Sequence, residues 1–393
     1  MRITGWLEPV KKELALSILV ALLAVSSLSF TLYQVLVHTF REQSLLAVAE
    51  PGSGDAAVST VPETVQLLAV GDVMLARKVG RLMEEKGLYY PFAKIAARLQ
   101  SADLTFGNLE SPISDRGFPL PRKGIWFRAR PETVRALVYS GFDVMSLANN
   151  HALDYESPAL LQTIEILARN GIASVGAGEN LMQARKSVVK TVNGVRVGFL
   201  AYSDMADLIW DWNYPRSMRA TEERPGIAPL DEKIILEDIA ELRKKVDIVV
   251  VSLHWGEEYS DYPTAGQRRL ARRLIDAGAH LIIGHHPHTL QGLEVYRHGL
   301  IAYSLGNFVF DQNWSLETRQ GLILDLVLTP LGIREARIMP IFIHQSQPRI
   351  ASGEQGQAIL EKTVRLSRQL GTRLILQENE AVISGEPTVL AEE

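Results

Sequence analysis

Short apolar runs that close on a polar or glycine-containing cluster recur along most of this chain. Between them lie stretches whose apolar residues return every three or four positions. A run of four to eight apolar residues bounded by turn signals has the length of a buried strand, whereas the longer 3.6-residue period belongs to an amphipathic helix. The pattern predicts strands at residues 65–70, 104–106, 142–148, 173–175, 247–253 and 280–283, and helices at 73–86, 92–99, 131–140, 158–169, 231–245 and 267–277. Pro131 falls in the first turn of its helix, where the missing N–H has no intrahelical partner to lose. Residues 188–192 and 195–201 flank Asn193-Gly194, a pair suited to two consecutive positive φ angles, and predict a hairpin. A second hairpin over 293–296 and 300–304 follows, with strands at 321–328 and 336–343. Alternating strands and helices that give way to hairpins predict an α/β sandwich, two sheets with helices outside both. Beyond residue 345 there remain a helix at 358–370, an apolar run at 374–376 and an acidic end.

The N-terminus departs from this alternation. Residues 14–37 carry no charge, and about 20 apolar residues suffice to cross a bilayer, so the segment reads as one transmembrane helix. Arg2, Lys11 and Lys12 precede it and only Arg41 follows closely. The positive-inside bias therefore assigns residues 1–13 to the cytoplasm and the bulk of the chain to the outer side of the cell membrane. The competing reading is a cleaved signal peptide ending near Ala47-Val48-Ala49, but the apolar run exceeds the ~7–15 residues of a secretory signal core. Residues 38–63, rich toward their end in Gly, Pro and small polar side chains, read as a flexible linker. The main domain then covers 64–345, and 346–393 form a C-terminal helical extension with an acidic tail.

Composition narrows the chemistry. The 393 residues are 47% hydrophobic and 22% charged with a formal net charge of -4, which gives no general reason to expect a nucleic-acid partner. There is no cysteine, so disulfides, thiolate nucleophiles and Cys-zinc sites are excluded together. Any metal must be held by His, Asp, Glu, Asn or backbone oxygen.

Such residues recur at one address, the end of a predicted strand: Asp72, Glu110, Asn150 with His151, His254, and His286 with His288 in the stretch Gly284 to Gly292. Strand ends of open α/β sheets face a common crevice, where side chains far apart in sequence converge on a ligand. Carboxylate, amide oxygen and imidazole without sulfur suit Mn, Fe or Zn. A bridging role between two such ions fits Glu110, although a turn before Ser111-Pro112 would also explain it. Asp72 would serve equally as the N-cap of a helix beginning at Met74. His280, His298 and His344 read as structural. Asn307 suits either a tight turn or the site. Arg116, Arg122, Lys123, Arg128 and Arg130 form a basic cluster interleaved with Trp126 and Phe127; it reads as a solvated hairpin face, or as a groove for an anionic chain.

Gly71-Asp72, Gly107-Asn108-Leu109-Glu110, Asn149-Asn150-His151, His254-Trp255-Gly256, Gly284-His285-His286-Pro287-His288 and Ser304-Leu305-Gly306-Asn307-Phe308 resemble, in order, the motifs of the CapA (PgsA) family of capsule and poly-γ-glutamate synthesis proteins, within the calcineurin-like metallophosphatase superfamily. The resemblance implies a membrane-anchored, four-layer αββα sandwich. It implies that Asp72 holds a first metal, that Glu110 bridges, that Asn150 and His254 hold a second, and that His286 and His288 complete the pair. His151 would be the acid that protonates a leaving group, with Asp154 to orient it, and Asn149, Arg128 and Asn307 would face substrate. One departure stands out: the superfamily's Asp-x-His is Asp72-Val73-Met74 here. Either His285 replaces the lost imidazole or the first site is weak or empty, so one or two divalent ions are expected. The implied role lies in synthesis, export or attachment of an anionic capsule polymer, with the membrane, the polymer and membrane-bound synthase subunits as partners. The domain would be a metal-dependent hydrolase or a non-catalytic accessory subunit.

Overall fold

Both faces of the first strand, Val65–Val73, are apolar, and both are covered: Val65, Leu67 and Ala69 enter one core while Leu68, Val70 and Val73 enter another. The structure is a computed structural model that describes residues 63–384. The cytoplasmic segment, the expected transmembrane helix at 14–37, the linker up to residue 62 and the acidic end from 385 lie outside the described residues. Among the described residues no helix is long and apolar enough to cross a membrane.

Val65–Val73 is the hinge of a mixed sheet. On one side Leu104–Leu109, Val144–Ser146 and Ala173–Val175 follow in parallel, and on the other Gln320–Thr329, Gly332–His344, Ala381–Ser384 and Arg373–Leu376 continue antiparallel. The short Asn307–Val309 strand pairs with its far end. A second mixed sheet runs in the order Leu293–Tyr296, Gly299–Ala302, Leu281–His285, Ile248–His254, Val195–Ser203 and Val188–Val192. Its two edges are the hairpins expected from the sequence. Asn193 and Gly194 supply the positive φ angles of the first, 48° and 83°.

Three apolar clusters define the layers. Leu67 and Phe106 meet Phe199, Val250 and Ile283 between the sheets, where the Phe106 and Phe199 rings stack at 5.6 Å. Outside the first sheet, Val79, Leu99, Leu137 and Leu160 of four helices pack on Leu68, Val70 and Met145. Outside the second, Ile235, Ile239, Leu274 and Ile275 pack on Leu200, Val249, Val251 and Ile282. Helices thus flank two facing sheets, as the alternation of periods predicts.

Several boundaries move. The helix expected from residue 73 begins at Arg77 and is preceded by Ala76 without a side-chain cap. Residues 71–73 stay in the strand because Asp72 and Val73 pair with Asn307 and Val309 on one side and Asn108 and Leu109 on the other; Asp72 is therefore not a helix cap. The strand expected at 280–283 runs on to His285. The division after residue 345 cuts through a continuous unit. Gln347–Ile350 and Ala381–Ser384 both pair with Gly332–His344, and the helix Gly353–Gln369 places Ile359 and Leu360 in the core between the sheets. Gly284 is forced where the second sheet passes close to the next strand: a Cβ there would lie 1.8 Å from the Tyr303 carbonyl oxygen.

Candidate metal centre

The ends of neighbouring strands deliver the polar groups to one place. Asp72 stands in register with Asn307 on one side and Asn108 on the other. Glu110 directly follows the Leu104–Leu109 strand, and His254 and His285 end adjacent parallel strands in register with each other. The chain then turns through His286 and His288, whose φ angles of 96° and 56° lie in the left-handed region. Non-glycine residues rarely occupy that region and cluster at functional sites when they do. The turn aims both imidazoles back over the strand ends.

Two groups of donor atoms result. In the first, Asp72, Glu110 and His288 each offer an atom, all within 4.8 Å of one another. His288 Nε2 lies 3.6 Å from Glu110 Oε1, and its Nδ1 lies 2.9 Å from Asn307 Oδ1. In the second, His254 Nε2 stands 3.0 Å from Asn150 Oδ1 and 3.2 Å from His286 Nδ1. His286 therefore belongs with Asn150 and His254, and His288 with Asp72 and Glu110.

Electrostatics sharpen the pattern. Burial, then the neighbouring histidine charge, holds His254 well below the usual imidazole range and His286 down at about 3. Both are neutral, the form in which imidazole ligates. Burial first, then the Asp72 charge, pushes the Glu110 carboxyl well up. For Asp72 burial acts upward, but hydrogen bonds from His285 and His288 outweigh it and hold the carboxyl low. Burial opposes the charging of His288, yet Glu110 and Asp72 raise it to about 9. Both carboxylate oxygens of Glu110 are fully buried with no hydrogen-bond partner. A buried carboxylate without donors is costly, and a divalent cation between Asp72, Glu110 and His288 would remove that cost. The donor set of oxygen and imidazole fits such an ion.

His285 stands beside Asp72 rather than among the three grouped donors. It lies outside the Asp72, Glu110 and His288 group, facing the Phe106 ring, with Nδ1 3.1 Å from Asp72 Oδ1. It supports Asp72 from the core side. Met74 is turned into the helix-side core, where its sulfur accepts from the Ala76 amide.

Beside the two groups sits His151. Its Nδ1 is 2.7 Å from Asp154 Oδ2, its ring stacks on Phe127 at 3.7 Å, and its Nε2 faces Glu110 Oε1 at 4.0 Å. Burial first, and the Lys123 charge against the pull of Asp154, lower its pKa to about 4. Asn149 is a support: its amide donates to Asn108 Oδ1 and the Leu109 carbonyl, and its Oδ1 accepts from the His151 amide. Asn307 likewise spends its Nδ2 on Gln312 and the Thr318 carbonyl. Arg128 is exposed, with its guanidinium over the Tyr155 ring at 3.9 Å.

Three residues at the site were not singled out from the sequence. Asn108 links Asp72 to Asn149, and a place inside the Gly107-Asn108-Leu109-Glu110 motif was its only signal. Phe127 covers His151. Lys123, read as part of a solvated basic face, is buried against Asp154. Its spacing from Leu120 and Phe127, both also buried, was the available hint.

Fold and site thus define an α/β protein of two mixed sheets with a buried Asp-Glu-His group able to hold a metal at the strand ends. The chain belongs to the family described as bacterial capsule synthesis protein PGA_cap, which matches residues 66–312. It is 36% identical to the Capsule biosynthesis protein CapA of Bacillus anthracis over 73% of this chain and 69% of that one. It is 30% identical to a Probable polyglutamine synthesis accessory protein of Mycobacterium tuberculosis over 78% of this chain and 84% of that one. A solved Staphylococcus aureus chain assigned as a 5'-nucleotidase is more distant, at 14% identity and a TM-score of 0.47, covering 78% of this chain and 58% of that one.

Proposed function

We propose that this protein acts in synthesis, export or attachment of a poly-γ-glutamate-like anionic capsule polymer, as a metal-dependent hydrolase anchored through residues 14–37 with its domain outside the cell. One observation carries the hydrolase reading. His151 is held at Nδ1 by Asp154 and presents Nε2 toward Glu110, at the edge of both donor groups. Asp72, Glu110 and His288 would hold one ion, and Asn150, His254 and His286 a second. A bound divalent cation supplies Lewis acidity and a concentrated positive charge beside the scissile group. The chain's own residues do the rest. Phe127 and Asp154 fix the imidazole plane, and Nε2 is the atom from which a proton reaches the leaving group of a phosphoester or amide. The burial of the whole constellation excludes water from the His151 to Asp154 hydrogen bond.

Full-length protein purified with Mn should bind metal and turn over a generic phosphodiester. Full occupancy without turnover would remove the hydrolase reading. It would leave the accessory one, in which the ions only brace a polymer-binding or synthase-docking subunit. One feature favours that rival: Met74 offers no imidazole, so the first group has three ligands. The anchoring has a separate test. Protease added to intact cells should digest the domain beyond residue 63, and protection of the domain would reverse the orientation.

A further inference from the structure

We propose that Lys123 is a positioning residue, an ammonium strut that locks the His151 imidazole and the Asn150 peptide into one unit; the catalytic part of this inference rests on the hydrolase reading above. Its neighbours in the 115–130 loop face solvent: the Arg122 side chain is 71% exposed and Ile125 is 55% exposed. Among the five cations of the 116–130 stretch, the Lys123 side chain alone turns inward, to 2% exposure. There its ammonium donates to Asp154 Oδ1 and to the Asn150 carbonyl, and lies 3.3 Å from His151 Nδ1.

The hydrogen-bond count on Asp154 gives this contact its direction. Oδ1 takes Lys123, and Oδ2 takes the Phe127 amide at 2.6 Å and faces His151 Nδ1 at 2.7 Å. An ammonium can only donate, so the short Lys123 to His151 approach is held by the carboxylate between them. With Asp154 accepting on both oxygens, Nδ1 of His151 keeps its proton toward Asp154, so proton exchange with the site runs through Nε2, which must first take up the proton it later delivers. At its other end Lys123 grips the carbonyl of Asn150, whose side-chain oxygen stands 3.0 Å from His254 Nε2. One group thus sets both the proton-donating imidazole and the amide of the second donor set. An apolar side chain of similar length would fill the space without the desolvation cost of a buried ammonium, so what the charge adds is orientation.

The loop is tied down around the same carboxylate. The Leu120 amide donates to the Asp154 carbonyl at 2.8 Å, Trp126 Nε1 donates to the Leu120 carbonyl at 2.7 Å, and the Lys123 ammonium lies 4.9 Å from the Trp210 ring centre. Arg122 reaches Asp211, the residue after Trp210, at 3.2 Å. Far from being a free basic hairpin, the loop is a wall of the site built on Asp154.

The test compares full-length wild type with Lys123→Met, which keeps the volume, and Lys123→Ala, which leaves room for an added alkylammonium. Both variants should keep bound Mn and the wild-type KM for a phosphodiester, while kcat falls about a hundredfold, the lower end of what a positioned acid contributes. Ethylammonium should restore part of the rate of Lys123→Ala, with saturation, and none of that of Lys123→Met. A second readout does not depend on turnover. The downfield Nδ1–H proton resonance of His151, identified by its absence in His151→Gln, should be present in wild type and vanish in both Lys123 variants. Persistence of that resonance with an unchanged kcat would overturn the assignment, as would loss of metal and fold in both variants together. If wild type itself shows no turnover, the hydrolase reading fails while the resonance still decides the role of Lys123.

Discussion

Replacing His151 with glutamine is expected to lower kcat by two to four orders of magnitude, roughly the contribution of a positioned general acid, while metal content stays at the wild-type value. The imidazole makes no hydrogen bond to a member of either donor group; its Nε2 lies 4.0 Å from Glu110 Oε1, and its ring nitrogen bonds Asp154. Its Nδ1 is engaged by Asp154 and its face by Phe127. Glutamine keeps the bulk and one hydrogen bond to Asp154 but cannot deliver an acidic proton from the Nε2 position. The signature is a fall in kcat at constant KM and constant metal per chain. A parallel loss of metal would show that His151 is a ligand, and unchanged turnover would remove it from the chemistry.

The second large effect concerns Glu110, and its sign reverses with metal. In the metal-free chain this carboxylate has no donor on either oxygen. Burial, then the charge of Asp72, raises its pKa well above the ordinary value. The folded chain thus holds that proton more tightly than the unfolded chain does. The stabilising contribution is complete below the unfolded pKa of about 4.3 and is lost as pH rises through the raised folded value. Metal-free Glu110→Gln should therefore melt higher than metal-free wild type, and the gap should widen from pH 5 to pH 8. With Mn present the order should invert. An ion at a hundred times its Kd stabilises the fold by about 2.7 kcal/mol, and the amide gives up much of that by losing the Glu110 carboxylate. Melting curves with and without chelator at both pH values decide the matter. An undiminished Mn response in Glu110→Gln would mean that the ion is held without Glu110.

Periodicity made the layers legible because a strand between two covered faces is a nearly continuous apolar run, as Val65–Val73 and Ile248–His254 are up to their polar ends. The site was legible for a related reason: its residues sit where an apolar run stops. What periodicity could not show was depth. Asp72 looked like a residue beyond its strand, but pairing with Asn108 and Asn307 draws it into the sheet. Lys123 looked like one of five surface cations, and only the tertiary position of Asp154 explains its burial. The division of His286 and His288 between two donor groups follows from their left-handed backbone, which no spacing rule reports. The C-terminal boundary was missed because Ala381–Ser384 pairs with Gly332–His344, a partner that local sequence does not reveal.

The pairing of Val65–Val73 also sets an order of assembly. This strand emerges from synthesis early, yet its antiparallel neighbour Gln320–Thr329 and its short companion Asn307–Val309 come some two hundred and fifty residues later, and contacts of such range are slow to close. A nascent chain that has not reached residue 288 holds Asp72 and Glu110 without His288, and until residue 307 is made His288 lacks its Asn307 partner. The first donor group is therefore a late product of biogenesis, completed only by a nearly full-length polypeptide.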